Sequence, residues 1–213
     1  SNTDGRFRTI QISGHSGIHL YGGELLDEET ISEYGAFELR YAWQNSNPES
    51  WASQYGYPSY GVGLYSGFLG DPQIFGNPNA LFGFINFPIS KPTKRNAFNI
   101  EPALGLTYNL EPYDSETNPT NDAIGARLAV YFNLNFGWNY KWTKEIDVSY
   151  GIDFTHFSNG RSSTPNWGLN MFGLNVGLRY HYNADEHKIN KDPYAPRVLP
   201  ARYLRPDRKL NTK

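Results

Sequence analysis

The chain has 213 residues, a formal net charge of −2 and no cysteine. One domain or two small ones fit that length. The missing cysteine excludes disulfides, thiolate nucleophiles and cysteine-held metals, and the near-neutral charge gives no long-range field that favours nucleic acid.

Residues 6–21 read as a first strand, because successive strand side chains point to opposite faces and the apolar residues keep one parity. Ile10, Ile12, Ile18 and Leu20 share that parity, while Thr9, Gln11, Ser13, His15 and His19 share the other. An acidic loop follows over 22–34, with Glu24, Asp27, Glu28, Glu29 and Glu33. Residues 35–44 alternate Phe37, Leu39, Tyr41 and Trp43 against Ala36, Glu38, Arg40 and Ala42. After a polar, aromatic connection, residues 60–68 set Tyr60, Val62, Leu64 and Phe68 against Gly61, Gly63, Tyr65 and Gly67. Gly70-Asp71-Pro72 and Gly76-Asn77-Pro78 mark a loop. Residues 81–89 are apolar on both parities, so pattern assigns them no face; residues 91–96 make a basic turn.

The second half alternates more cleanly. Over 98–110, Phe98, Ile100, Leu104, Leu106, Tyr108 and Leu110 oppose Asn99, Glu101, Thr107 and Asn109. Over 124–142 the even positions run from Ile124 to Trp142 with hardly a polar group, against Arg127, Tyr131, Asn133 and Asn135. A short turn at 141–144 leads to Ile146, Val148, Tyr150, Ile152 and Phe154, which oppose Asp147, Ser149, Gly151, Asp153 and Thr155. The last segment sets Phe172, Leu174, Val176, Leu178, Tyr180 and Tyr182 against Met171, Gly173, Asn175, Gly177 and Arg179.

These are about eight period-2 segments. No apolar run approaches the ~20 residues of a membrane helix, and no signal peptide is visible in a chain that opens at Ser1. Aromatics reach 16% and glycine 21 residues, although mean hydropathy is negative. Composition alone leaves a transmembrane barrel and a soluble sandwich or lipocalin-like barrel equally open. The faces decide. The apolar parity is bulky and continuous, whereas the other mixes small residues with compensating charges (Glu38, Arg40, Glu101, Arg127, Asp147, Asp153). Side chains fill the lumen of an eight-stranded barrel completely, and buried charges there must pair. The pattern therefore predicts an all-β fold: an eight-stranded antiparallel transmembrane β-barrel over 1–183, with a filled lumen, short periplasmic turns and longer exterior loops. Residues 184–213 have no alternation, carry Pro193, Pro196, Pro200 and Pro206 and are rich in Lys and Arg. They read as a basic, proline-rich periplasmic tail that either docks an outer-membrane or periplasmic protein partner or folds against the barrel's periplasmic rim, with contact to anionic lipid phosphates as a third reading.

Chemistry concentrates in Thr155-His156-Phe157-Ser158-Asn159-Gly160 and the following Asn166-Trp167-Gly168-Leu169-Asn170. His156 and Ser158 continue the outward parity of Ile152 and Phe154, and Asn170 continues that of Phe172 and Leu174. A base, a nucleophile and an orienting amide thus lie on the lipid-facing surface near the exterior end of adjacent strands, the logic of an acyl-transfer triad. A nucleophile aimed sideways into the outer leaflet requires a lipid substrate. Polar residues also occur at this level simply because the headgroup belt tolerates them. The five histidines show no metal-ligand spacing, and the chemistry needs no cofactor.

His156-Phe157-Ser158-Asn159-Gly160 with Pro165-Asn166-Trp167-Gly168-Leu169-Asn170 resembles the signature of the PagL-type lipid A 3-O-deacylases and the related acyloxyacyl-hydrolase-like outer-membrane proteins. Tyr57 to Gly63, with the apolar stretch 81–88, resembles the Bacteroidetes-type branch. The likeness extends in strand layout over most of residues 10–182. It implies an eight-stranded outer-membrane barrel that removes an ester-linked acyl chain from lipid A, with lipopolysaccharide of the outer leaflet as partner. It also implies Ser158 as nucleophile, His156 as general base and Asn159 in support of the oxyanion. The best-known members carry a glutamate where this chain has Asn170, so the third member is a neutral amide here. A non-catalytic barrel subunit that docks partners through its tail is the alternative expectation.

Overall fold

The computed structural model describes residues 6–21, 31–45, 56–69, 76–91, 94–110, 115–117, 129–158 and 169–182. Eight strands form: β1 (Arg6–Tyr21), β2 (Ile31–Asn45), β3 (Ser59–Leu69), β4 (Gly76–Pro88), β5 (Asn96–Leu110), β6 (Ala129–Lys141), β7 (Ile146–Ser158) and β8 (Leu169–His181). Each pairs antiparallel with its neighbours in sequence, and β8 returns to β1, with Ile12 opposite Leu178, to close the barrel. Closure removes every sheet edge, so each backbone polar group of the wall has a partner inside hydrocarbon. The expected all-β transmembrane architecture is the one observed. The tail, 184–213, and Arg127 lie outside the described residues.

Alternation sorts the side chains as membrane setting requires. Phe37, Leu104, Leu174 and Val176 are more than 60% exposed on the outer wall, whereas Tyr131, Phe157, Leu169 and Met171 are fully buried inside it. The strand that pattern left without a face, β4, places Phe82, Phe84 and Asn86 inside and Leu81 and Ile85 outside. Its ambiguity has a physical cause: here the lumen itself is aromatic. Rings of Phe82, Tyr65 and Phe157 surround Tyr131 at centroid distances of 5.2, 5.4 and 5.6 Å. Gly63 is what makes room, since a Cβ there would fall on the Phe82 ring.

Below this plug sits the buried charge that the sequence expected to find paired. Arg40 Nε donates to Glu38 at 3.1 Å, and its Nη1 reaches Glu101. The guanidinium lies over Phe84 and Phe82, with centroids at 4.7 and 5.0 Å. His15 bridges Asp153 (2.7 Å) and Glu38 (3.0 Å). Asn175 donates to Asp153 at 2.9 Å and Asn86 to Glu101 at 2.8 Å. Nearer the mouth, His181 Nε2 and Asp147 are 2.7 Å apart. Charges buried this deeply are tolerable only when paired and hydrogen-bonded.

The strand ends at Arg6, Asn45, Ser59, Pro88, Asn96, Lys141, Ile146 and His181 share one rim, the periplasmic one by the convention of short turns. Alternation of short and long connections is not strict, however. Residues 46–58 bridge this rim with a longer segment than 70–75, which bridges the exterior one. Gly56 and Tyr57 both take positive φ, 77° and 61°. The Tyr57 carbonyl accepts a hydrogen bond from Gln44 at 2.8 Å, and its side chain is buried. The end of this connection, at Tyr57, therefore points into the mouth.

Candidate functional site on the outer wall

The last residues of β7 and the first of β8 are pinned from inside. Thr155, Phe157, Leu169 and Met171 are at most 1% exposed, and Asn133 donates to Thr155 Oγ1 at 2.8 Å. With these positions locked in the lumen, the alternate ones, His156, Ser158 and Asn170, must face outward. Each is half-buried on the outer wall.

Register then sets their neighbours. His156 stands opposite Asn170 on β8 and Phe132 on β6; Ser158 stands opposite Val130. His156 Nδ1 and Asn170 Oδ1 are 2.6 Å apart. An amide oxygen only accepts, so Nδ1 carries the hydrogen and Nε2 keeps its lone pair. Ser158 is two residues on along the same face, roughly 6.6 Å at Cα, which is within reach of an imidazole. On the membrane side of the histidine, the Phe154 ring lies parallel to the imidazole at 6.4 Å and 13°. Phe172 and Phe132 flank Phe154 at 5.1 and 6.5 Å. The polar group of three thus rests on an aromatic floor that continues into the apolar wall.

The structure brings His156 and Asn170 together and sets Ser158 on their face. Asn159 lies outside the described residues. Asp153, the nearest carboxylate in sequence, is inside the barrel and held by His15 and Asn175. No motif marks the aromatic floor in the sequence, and only parity carries its signal: Phe154 and Phe172 sit two residues from His156 and Asn170. Among the described residues no group of three or more His, Asp or Glu side chains is arranged to hold a metal ion.

Fold and faces define an outer-membrane barrel with a polar cluster on its lipid-facing surface. The sequence model of the family described as lipid A 3-O-deacylase (PagL) matches residues 35–179, from β2 to β8. The chain belongs to that family of outer-membrane ester hydrolases. Solved structures agree on the fold. The crystal structure of the outer membrane enzyme PagL superposes with a TM-score of 0.55 at 13% identity, over 78% of this chain and 97% of that one. Neisserial surface protein A gives 0.58 at 7% identity, over 82% and 97%. No curated protein sequence matches the chain.

Proposed function

We propose that the protein removes an ester-linked acyl chain from lipid A in the outer leaflet by a serine–histidine mechanism. The observation that carries this reading is the 2.6 Å bond between His156 and Asn170 on the lipid-facing wall, in a chain of the lipid A 3-O-deacylase family. His156 Nε2 takes the Ser158 proton as Oγ attacks the ester carbonyl, and Asn159 together with backbone amides stabilises the oxyanion. The tetrahedral intermediate collapses with cleavage of the bond to the sugar oxygen, which receives the proton from His156. Water, activated by the same histidine, then releases the fatty acid from Ser158. Asn170 holds the tautomer and ring orientation that both steps need. As a neutral amide it adds no charge to oppose the imidazolium.

Mass spectrometry of lipid A from cells expressing the protein tests this. The wild type should yield lipid A lighter by one acyl chain, and Ser158→Ala should leave it intact. Identical lipid A from the two would remove the serine mechanism. Intact lipid A from both, with a folded barrel in the membrane, would instead favour a docking subunit, for which loss of partners on deleting 184–213 is the signature.

A further inference from the structure

On the periplasmic half of the outer wall, β5, β6 and β7 carry a second cluster that the lipid A chemistry does not use. Phe98, Trp138 and Tyr150, one from each strand, form a continuous aromatic shelf. Phe98 and Trp138 are 5.2 Å apart, and Trp138 stacks on Tyr150 at 5.7 Å and 12°. Register places Asn96 opposite Tyr140, one step nearer the rim, and Asn96 donates to the Tyr150 hydroxyl at 2.6 Å. Above these lies Arg95. Its Nε donates to the Lys141 carbonyl at 3.2 Å, which ties the two periplasmic turns together. Its guanidinium sits 5.1 Å from the centroid of the lipid-facing Tyr140 ring. Lys91 and Lys94, both exposed, complete the same turn. Glu145 is the carboxylate described in the neighbouring turn, so the balance across the two is positive.

We propose that this surface is a binding site for one anionic phospholipid of the periplasmic leaflet. Three features select such a lipid over any apolar surface. The shelf is aromatic, with Trp138 and Tyr150 nearly parallel and Phe98 tilted by 47° beside them, and it lies near the periplasmic rim, the interfacial level that aromatic rings favour. Asn96 and the Tyr150 hydroxyl offer polar contacts to the ester region. Arg95, although exposed, is tied to the Lys141 carbonyl and lies over Tyr140, and with the exposed Lys91 and Lys94 it supplies a phosphate with charge-assisted donors. A zwitterionic headgroup would bring its own cation into this cluster and be disfavoured.

The test uses the folded full-length barrel in nanodiscs of phosphatidylglycerol and phosphatidylcholine in equal amounts, with native mass spectrometry counting the lipids retained. The expected result is one phosphatidylglycerol retained at least fivefold over phosphatidylcholine. That preference should fall below twofold in Lys91→Gln/Lys94→Gln/Arg95→Gln. Should the triple variant fail to fold, as judged by heat-dependent gel mobility, Lys91→Gln/Lys94→Gln decides, because it leaves the tie between Arg95 and Lys141 intact; there the preference should at least halve. Equal retention of the two lipids, or a preference unchanged in the variants, overturns the site. So does full displacement of the lipid by millimolar inorganic phosphate, which would show plain anion binding.

Discussion

His156 and Asn170 meet because strand register makes them direct cross-strand neighbours, and the identity of residue 170 then sets how much the histidine can do. An amide oxygen fixes the tautomer; a carboxylate would also stabilise the imidazolium of the transition state. Asn170→Asp keeps the side-chain shape and should raise kcat/KM about tenfold, equivalent to about 1.4 kcal/mol. Asn170→Leu should lower it about 100-fold, by releasing the ring. Deacylation of lipid A in mixed micelles reads both: an aspartate variant no faster than wild type would show that charge at 170 does not limit the reaction, and a leucine variant as fast as wild type that Asn170 acts only as packing. Removing the proposed nucleophile is more severe: Ser158→Ala should cost at least ~10^3-fold. At this scale the sequence was informative on the outer wall and silent within. His156, Ser158 and Asn170 stood out because a polar group on an apolar parity is an anomaly. The partners of His15, by contrast, are on the neighbouring β2 at Glu38 and on β7, 138 positions away, at Asp153. No local pattern encodes a contact made only when β8 closes on β1.

Among the strands, β3 and β4 show how packing overrides pattern. Their lumen faces are fitted to each other, glycine on one strand and phenylalanine on the other, with Gly63 directly opposite Phe82. Gly63→Val puts a branched side chain into the Phe82 ring. It should destabilise the barrel by about 1–3 kcal/mol through overpacking, seen as an earlier midpoint in urea unfolding from vesicles. Gly63→Val combined with Phe82→Ala should recover part of that loss, whereas independent effects would simply add. The same fit explains where the reading of strands worked. Seven segments alternated because most of their lumen positions were polar or small against a bulky apolar wall, with bulky lumen residues such as Tyr131 and Met171 only isolated among them. β4 did not, because Phe82 and Phe84 are needed inside, against Tyr131 and beneath the guanidinium of Arg40. Loop lengths misled in one place for a related reason: the long connection after β2 ends in Tyr57, which is buried at the periplasmic mouth, and length alone does not distinguish such a connection from an exterior loop.

The molecule as a whole is a closed wall around a charged interior filled by side chains, so its stability depends on pairs that join distant strands. Arg40 on β2 holds Glu38 beside it and Glu101 on β5. Arg40→Met should destabilise the barrel by about 3–5 kcal/mol, since it removes the guanidinium that both buried carboxylates face and leaves Glu38 with His15 and Glu101 with the neutral Asn86 amide. Arg40→Met/Glu38→Gln/Glu101→Gln should restore much of that, because a neutral polar or apolar set has no uncompensated charge. Refolding yield into vesicles, followed by heat-dependent gel mobility, separates the two; equal losses would mean that the network's charge balance is not what matters. The half-buried histidine on the outside wall has a different consequence for how such a protein meets its substrate. A reactive group that opens sideways onto lipid is reached by in-plane diffusion and not from the aqueous phase. Its velocity should therefore track the mole fraction of lipid A in the surrounding film. Adding inert detergent at constant bulk lipid A should slow turnover as surely as withdrawing the substrate.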